Sequence, residues 1–302
     1  MSSTVNNTNT IEKRYISYCN AGRFGNNVFQ YIATSVIRHY LNKIDPLVQY
    51  EYEYLYHLKY THYNEVYADR KHPDTDIDEL NFKEIYTSLK KGVNLFSEKK
   101  WLYLNGWFQF DYFILENMEF VKSLFHSCNT DRISDNLTID TLMKFVDEYP
   151  NKIENEFNPN DLVIHIRLDD FVFNFYDANI ISPTSYIELV KKITTVETDL
   201  SKGKIFLIVD RPKRPYEFQY FRELNKHFSF KTLSGDFFTD FARLYHAPNL
   251  VCSNSTFSWI AMLLGKSRQN WFPINNGYWT NQQITRLRED SQLYPTEKLR
   301  FV

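Results

Sequence analysis

Short, uninterrupted apolar runs in the second half of the chain place the strongest limit on the fold. Leu162–Ile166 (LVIHI) and Ile205–Val209 (IFLIV) have the length of strands and the apolar character of strands covered on both faces. Helical patterns lie between them, such as Ser182–Thr194, in which a capping serine precedes a proline. Strands and helices that alternate at this spacing predict a doubly wound parallel α/β sheet.

The first half begins in the same style. Tyr15–Cys19 is a predicted strand, and the turn 20–25 leads from it into a helix with apolar residues at three- and four-residue spacing, for which Asn26 is the predicted cap. Strand, tight loop and helix in this order present backbone N–H groups to ligands in α/β proteins. Further elements are expected as strands at 101–105, 230–233, 250–253 and 270–272, and as helices at 112–124, 140–148, 215–226, 237–246 and 257–264.

The polar stretch 151–161 after Pro150 predicts a linker between two domains. We therefore expect a disordered tail at 1–12, an N-terminal domain at 13–155 and a C-terminal domain at 156–275; the family resemblance described below implies that the first lies on the acceptor side and that the second binds the nucleotide sugar. For the C-terminal segment, 276–302, packing back on the N-terminal domain is one option.

Composition excludes several function classes. The chain has only 8 glycines in 302 residues, and no two are arranged as GxGxxG or GxxxxGK[ST], so a bound phosphate needs another kind of cradle. A net charge of -2 argues against a nucleic-acid partner. The 3 cysteines are far apart in the sequence, which is typical neither of a disulfide framework nor of a zinc site.

The N-terminus is polar, and no apolar run approaches the ~18 residues that a membrane span requires. We therefore expect a cytoplasmic protein without a signal peptide or an integral membrane segment. The oligomeric state stays open.

Two polar segments follow predicted strands, where ligands bind in open α/β sheets. In the first, His165 and Arg167 share a side of the strand, and Arg167 could bind phosphate oxygens with two hydrogen bonds. The alternative for Arg167 is a surface ion pair with a neighbouring aspartate. The second segment, 253–258, opens a helix with more small polar residues than the plain N-cap that is its alternative, so it predicts an anion site.

The acidic candidates are less specific. The Asp74–Asp78 run contains an Asp-x-Asp pattern, which is typical of metal-bound nucleotide sugars but is here better explained as a solvated loop. Asp210 ends a strand, where its carboxylate could meet a ribose, and Asp240 could simply favour the start of a helix. Among the aromatic residues, four could line a sugar site: Trp107, Phe108, Trp259 and Trp271.

Four segments, in order along the chain, together resemble one family. Gly22–Tyr31 (GRFGNNVFQY) is similar to the N-terminal GRLGNQMFQY-type motif of the α-1,2-fucosyltransferases, glycosyltransferase family 11. Gly106–Gln109 (GWFQ), followed by Tyr112 and Phe113, resembles the G-Y-x-Q segment of that family and the Y-F that follows it.

The other two segments lie in the second half. His165-x-Arg167-x-x-Asp170 resembles the H-x-R-x-x-D motif shared by α-1,2-, α-1,6- and protein O-fucosyltransferases. Asp240 and the block NSTFSW at 254–259 resemble the last family motif in content and spacing. The chain departs from the family at Leu168, where a second Arg is usual, at Val209-Asp210-Arg211 in place of S-D-D, and at Ile260 in place of a second Trp.

The resemblance implies a GT-B type fold with two Rossmann-like domains that face a central cleft. It implies an inverting transfer of L-fucose from GDP-fucose to a glycan acceptor, with an α-1,2 bond to galactose or a related sugar, and neither a metal ion nor another cofactor. The departures leave open another nucleotide deoxysugar donor. A catalytically degenerate glycan-binding module is a third hypothesis.

The resemblance also implies roles for individual residues. Arg167 would contact the β-phosphate, and His165 and Asp240 the nucleoside. Asp170 is the first candidate for the general base and Asp177 the second. The remaining donor-side residues are Gly22, Arg23, Phe24, Gly25, Asn26, Asp210, Asn254, Ser255, Thr256, Phe257 and Ser258, and the acceptor-side residues are Trp107 and Gln109.

Overall fold

The chain forms two compact units, Met1–Ile139 and Asp140–Val302. The computed structural model describes residues 11–19, 22, 24–52, 75–110, 112–125, 137–152, 156–168, 180–272 and 299–301. Each unit contains one parallel β-sheet with helices between its strands. The predicted α/β class with two Rossmann-like domains is confirmed, and the cleft between them stays a prediction.

The sheet of the N-terminal unit has the order β2-β1-β4-β3, and its strands are all parallel. The order reverses between β1 and β4, because β2 lies on one side of β1 and β3 on the far side of β4. The elements are β1 (Glu12–Tyr18), α1 (Phe24–Ile44), β2 (Val48–Tyr52), β3 (Thr75–Asp78), α2 (Phe82–Lys90), β4 (Trp101–Asn105), α3 (Tyr112–Glu116) and α4 (Met118–Phe125).

Helix α1 is buried on most of its circumference over its first half, including Gln30 and Thr34. Two of its hydroxyl groups are satisfied within the helix: that of Thr34 donates to the carbonyl of Gln30 at 2.8 Å, and that of Ser35 donates to the carbonyl of Tyr31 at 2.7 Å. The helix begins at Phe24, so the prediction that Asn26 caps it is wrong. Asn26 lies in its first turn instead.

The helix predicted over 112–124 is two helices, α3 and α4. The side chain of Asn117, between them, donates to the carbonyl of Phe113 at 2.6 Å and to the hydroxyl of Tyr86 at 2.9 Å. A short amide side chain that competes for backbone groups in this way interrupts a helix.

The sheet of the C-terminal unit has the order β10-β9-β8-β5-β6-β7, again all parallel. Counted from β5 as the first strand, this is the order 3-2-1-4-5-6 of dinucleotide-binding folds. The elements are α5 (Leu137–Lys152), β5 (Leu162–Ile166), α6 (Pro183–Val196), β6 (Ile205–Val209), α7 (Pro215–Asn225), β7 (Lys231–Leu233), α8 (Phe237–Tyr245), β8 (Asn249–Val251), α9 (Thr256–Leu264), β9 (Gln269–Phe272) and β10 (Leu299–Phe301).

Alternate side chains of β5 enter different environments. Leu162, Ile164 and Ile166 belong to the apolar core formed with α6 and α7. Successive side chains of a strand point to opposite faces, so Val163 and His165 face the other side of the sheet. This face is also covered, because every residue of β5 is buried. The strand is therefore apolar throughout except at His165, which lies close to its carboxyl end.

The unit boundary and the C-terminal segment differ from the expectation. The units divide after Ile139, so helix α5, including Pro150, belongs largely with the C-terminal unit, whereas the predicted boundary follows residue 155. Strand β10 pairs with β9, so the described part of 276–302 belongs to the C-terminal sheet. None of the helices in the described ranges is both long and apolar enough to cross a membrane.

Candidate functional site

The predicted motifs lie where the strand order of each sheet reverses. In the C-terminal unit this point falls between β5 and β8, which are neighbours in the sheet although β6 and β7 separate them in the chain. His165 and Arg167 stand at the end of β5, and the segment 253–258 follows β8. Ligands of open α/β sheets bind in the crevice at this position.

A hydrogen bond joins the two segments across this point. The hydroxyl of Ser253 lies 2.7 Å from Nδ1 of His165, and the two residues are 88 positions apart in the chain. Burial lowers the pKa of His165 to about 3, so the imidazole is neutral at physiological pH. When Ser253 donates to Nδ1, Nε2 carries the ring proton and can donate to a ligand.

Arg167 lies directly after β5 and pairs with Asp210, which directly follows β6. Nη1 of Arg167 and Oδ2 of Asp210 are 3.8 Å apart, and the side chains are 15% and 57% exposed. A contact of this length with an exposed partner contributes little to stability. The pair therefore brings a cation and a carboxylate together at the carboxyl edge of the sheet, and it partly supports the ion-pair alternative, with Asp210 as a partner.

Ser255 is the N-cap of α9. Its hydroxyl accepts from the backbone N–H of Phe257 at 3.3 Å, which leaves the hydroxyl proton for another acceptor. Asn254 and Ser255 are both 8% exposed. The helix start thus combines the positive end of the helix dipole with a hydroxyl donor.

Ser258 and Phe257 support this turn. Ser258 is fully buried, and its hydroxyl donates to the carbonyl of Ser255 at 3.1 Å. The ring of Phe257 packs between His165 and α8, with centroids 5.8 Å from His165 and 5.4 Å from Phe237. A direct contact of Ser258 with a phosphate would require that its bond to Ser255 be exchanged. Thr256, by contrast, is only half-buried.

Asp240 lies in the first turn and a half of α8. Its Oδ1 accepts from the backbone N–H of Gly235 at 2.9 Å and from Nη1 of Arg243 at 3.2 Å. Burial raises the pKa of Asp240 to about 6, Arg243 and Gly235 oppose that rise, and Asp210 adds to it. Helix α8 begins after the carboxyl end of β7, the parallel neighbour of β6, so Asp240 near its start lies at the same edge of the sheet as Asp210.

In the N-terminal unit, the two motifs also meet where the strand order reverses. Gly22 follows β1 with φ +82, a left-handed conformation that favours glycine. A Cβ at this position would lie 2.3 Å from Nδ2 of Asn26 and 2.7 Å from Cζ3 of Trp107, which follows β4. The turn therefore requires glycine both for its backbone conformation and for the close approach of Trp107.

Side chains fix the same arrangement. Nε2 of Gln109 donates to Oδ1 of Asn26 at 2.9 Å, which links the two motifs. Oε1 of Glu79 accepts from the backbone N–H groups of Trp107 and Phe108 at 2.7 and 2.9 Å, and Phe108 has φ 50. Trp107 is 42% exposed, so its aromatic ring faces solvent from a backbone that these hydrogen bonds hold in place.

Some predicted residues are not placed. Arg23, Asp170 and Asp177 lie outside the described residues, as does Asp74. The rest of the Asp-x-Asp segment is strand β3 rather than a loop, and Asp78 accepts from two backbone N–H groups at 2.9 and 3.0 Å to close the turn after it. Within the described ranges, no three or more His, Cys, Asp or Glu side chains cluster as metal ligands would.

Sequence patterns missed three residues of these arrangements. Ser253 belongs to the polar run 253–258, but nothing in the sequence shows that it bonds to His165. Arg243 stands three positions after Asp240 on α8, and that spacing is the one signal that could have indicated their contact. Nothing in the sequence links Glu79 to the loop that it holds.

Neither a protein-family model nor a curated protein matches the sequence. Three solved structures are similar in fold at low identity. POFUT1 in complex with GDP is 13% identical, with 87% of this chain and 99% of that chain covered and a TM-score of 0.39. A mutant of Arabidopsis thaliana FUT1 in complex with GDP is 10% identical, with 91% and 73% covered and a TM-score of 0.48. A family 9 glycosyltransferase from Veillonella parvula DSM 2008 is 10% identical, with 97% and 87% covered and a TM-score of 0.41.

These similarities are too distant to define the family of the chain. Its class follows from its own topology: an α/β protein of two units, of which the C-terminal one has the strand order of dinucleotide-binding folds and gathers polar side chains at the switch point.

Proposed function

We propose that the chain is an inverting glycosyltransferase that moves L-fucose from GDP-fucose to a hydroxyl of a glycan acceptor without a metal ion or another cofactor. The observation that best supports this proposal is the hydrogen bond between His165 and Ser253 across the switch point of the C-terminal sheet. Sheets of this strand order bind nucleotides at that point. The resemblance of four segments to fucosyltransferase motifs supplies the donor and the reaction.

The diphosphate would be held by Arg167, the hydroxyls of Ser255 and Thr256, and the first N–H groups of α9. The guanidinium offers two parallel donors to phosphate oxygens, and the helix start adds a partial positive charge. In an inverting transfer the acceptor oxygen bonds to the anomeric carbon while the bond from that carbon to the β-phosphate oxygen breaks. Donors fixed in advance stabilise the negative charge that develops on the departing GDP.

The nucleoside would lie against His165, Asp240 and Asp210. Nε2 of a neutral His165 can donate to it, and the carboxylate of Asp240 can accept from it. His165 is a poor general base, because burial lowers its pKa to about 3. Asp170, and after it Asp177, stay the proposed bases that take the proton of the acceptor hydroxyl.

The acceptor would be bound by the N-terminal unit through Trp107 and Gln109. An exposed aromatic ring on a fixed loop offers a flat apolar surface to the C–H face of a sugar, and the amide of Gln109 offers hydrogen bonds to its hydroxyl groups. From the resemblance, the product would be an α-1,2 bond to galactose or a related sugar.

A second candidate is the same reaction with another nucleotide deoxysugar. The observation that favours it is the burial of Leu168, which is 4% exposed and belongs to the core with α6 and α7. The site therefore lacks the second Arg of the family pattern. The remaining hypothesis is a glycan-binding module that has lost catalysis.

A donor screen separates these hypotheses. The chain is incubated with GDP-fucose, GDP-mannose, UDP-galactose or a dTDP-deoxysugar and a panel of galactose-terminated acceptors, with and without EDTA, and the release of nucleoside diphosphate is measured. Turnover with GDP-fucose alone, undiminished by EDTA, is the expected result. Turnover with another donor supports the second candidate, and glycan binding without turnover supports the third. A strict need for Mn²⁺ would overturn the metal-independent mechanism.

A further inference from the structure

A buried network of charged groups adjoins Asp240 and has no part in the transfer described above. Arg243 donates to Oδ1 of Asp240 at 3.2 Å and reaches both carboxylate oxygens of Glu156 at 3.0 to 3.2 Å. The hydroxyl of Tyr149, on α5, donates to Oε2 of Glu156 at 2.7 Å. The side chains of Arg243, Glu156 and Asp240 are 12%, 13% and 14% exposed, so little solvent screens these charges.

The two carboxylate oxygens of Asp240 have different surroundings. Oδ1 accepts from Gly235 and Arg243. Oδ2 has no hydrogen bond to any residue within the described ranges. The protein therefore fixes one oxygen of the carboxylate and leaves the other to accept from a ligand.

The guanidinium of Arg243 favours the charged form of Asp240. Burial raises the pKa of Asp240 to about 6, and it would be higher without the guanidinium of Arg243. The titratable groups around the carboxylate are Arg243 and Asp236 on α8, Asp210 after β6, and, through Arg243, Glu156 before β5 and Tyr149 on α5. Arg243 is the cation among them, and Glu156 competes for it.

We propose that Arg243 is a positioning residue for the nucleotide: it fixes Oδ1 of Asp240 and keeps this carboxylate ionised, so that Oδ2 accepts an N–H of the guanine base. Glu156 and Tyr149 determine how strongly the guanidinium of Arg243 stabilises the charged form of Asp240. This inference rests on the proposed function, because it places the base of the donor nucleotide at Asp240. An Arg243 that only ties α8 to the segment before β5 would affect stability and GDP binding equally at every pH.

The test compares Arg243→Met with the unaltered protein and with Arg222→Met, which removes an exposed cation from the neighbouring helix α7. GDP affinity is measured by calorimetry near pH 6 and near pH 8. Taking the ratio of the dissociation constants of variant and unaltered protein cancels the titration of the GDP phosphates. Near pH 8 we expect Arg243→Met to bind GDP within about twofold of the unaltered protein. Near pH 6 we expect it to bind GDP about tenfold more weakly, because the Asp240 carboxyl of the variant is protonated at that pH. For Arg222→Met, the ratio of the dissociation constants should stay close to one at both pH values.

A second measurement does not depend on GDP. Carbon-13 NMR titration of aspartate side chains, with the Asp240 signal assigned by Asp240→Asn, reports the pKa of Asp240 directly. We expect Arg243→Met to raise it by about one unit or more, Arg243→Lys to restore it in part, and Glu156→Gln to lower it. The opposite signs of the two neutralising variants separate a change of charge from a general loss of structure.

The outcomes are distinct. An affinity ratio that is the same at both pH values, or an Asp240 pKa that Arg243→Met leaves unchanged, overturns the inference while the proposed function stands. If the unaltered protein binds no GDP, the proposed function fails and the nucleotide role of Arg243 fails with it. A pH-dependent ratio together with the shifted pKa supports both.

Discussion

The two units both place their predicted binding segments where the strand order of the sheet reverses, but they build them from different parts of the chain. In the C-terminal unit the segment consists of charged and hydroxyl side chains, with His165 bonded to Ser253 and Arg167 beside Asp210. In the N-terminal unit it consists mainly of backbone conformation, with Gly22 at φ +82 and Phe108 at φ 50.

This difference indicates what each region can recognise. A phosphate requires charge and N–H donors, which side chains and a helix start supply. A sugar face requires a flat surface at a defined position, which a fixed loop supplies through Trp107. We therefore expect the C-terminal region to be sensitive to changes of charge and the N-terminal region to changes of shape. The following predictions test this contrast, beginning with the largest effect.

Arg167→Ala should reduce the transfer rate about 10²–10³-fold, because it removes a donor to the charge that develops on the leaving GDP. Release of GDP from GDP-fucose is the measurement, and thermal unfolding checks that the fold is intact. The matched control is Arg222→Ala, an exposed arginine of the same unit, which should retain the rate. Near-normal activity of Arg167→Ala would refute the charge-based half of the contrast.

His165→Asn should change how stability depends on pH. The unfolded chain takes up a proton on His165 near pH 6.5, whereas the folded chain takes it up only near 3, so this residue makes the fold less stable as pH falls below 6.5. At pH 5 the contribution is ~2 kcal/mol. Urea unfolding near pH 7 and near pH 5 is the measurement. Between these two pH values, His165→Asn should lose ~2 kcal/mol less unfolding free energy than the unaltered protein.

The exposed His227 provides the control for that measurement. His227→Gln should not show this reduction in acid destabilisation, since His227 is 37% exposed and its imidazole faces Oε1 of Glu223 at 3.5 Å. If His165→Asn and the unaltered protein lose the same stability between pH 7 and pH 5, the imidazole of His165 is not held neutral. Water would then reach the C-terminal site more easily than the burial of His165 indicates.

Gly22→Ala should destabilise the protein by ~1–2 kcal/mol and raise the acceptor KM, because the added Cβ meets both Asn26 and Trp107. Gly92→Ala is a close control: Gly92 has φ +80, but a Cβ there has no neighbour within 4 Å. Gly92→Ala therefore has the same unfavourable positive φ as Gly22→Ala, but its added Cβ contacts no neighbouring atom. If both variants keep a normal acceptor KM, the backbone-built half of the contrast fails.

Trp107→Ala should raise the acceptor KM about fivefold and leave the donor KM unchanged, since loss of an aromatic contact costs about 1 kcal/mol. Steady-state kinetics with each substrate varied in turn is the measurement. Leu47→Ala removes a comparably exposed apolar side chain, 52% against 42%, from the residue before β2, at the opposite edge of the same sheet, and it should change neither KM. A change in the donor KM of Trp107→Ala instead would place this ring on the nucleotide side.

Much of the fold was predictable because its signals are local. Strand β4 matches the prediction residue for residue, and β6 does so too. Helix α6 begins after Ser182, whose hydroxyl accepts from the backbone N–H of Ser185 at 3.1 Å, as its cap sequence predicts. One error arose where a side chain bonds to a residue far away in the chain. Asn117 splits a predicted helix partly through a contact with Tyr86, 31 residues away.

The candidate site was predictable in its members but less so in its contacts. Arg167 and the start of α9 were expected at strand ends, and they lie there. The sequence contained no sign that Glu79 holds the Trp107 loop or that Arg243 divides its charge between Asp240 and Glu156. Such contacts depend on which elements pack together, and local patterns do not report that.

By itself, the sequence determined most of the strands and helices, though not β2, β3 and α2. It also determined which polar residues end those elements, and that no glycine loop of a familiar type holds a phosphate. Tertiary structure alone decided that β5 neighbours β8 and β1 neighbours β4. Those pairings bring His165 to Ser253 and Gly22 to Trp107. The physical reason is range: caps and apolar periods act over a few residues, whereas strand order is set by the packing of whole elements far apart in the chain.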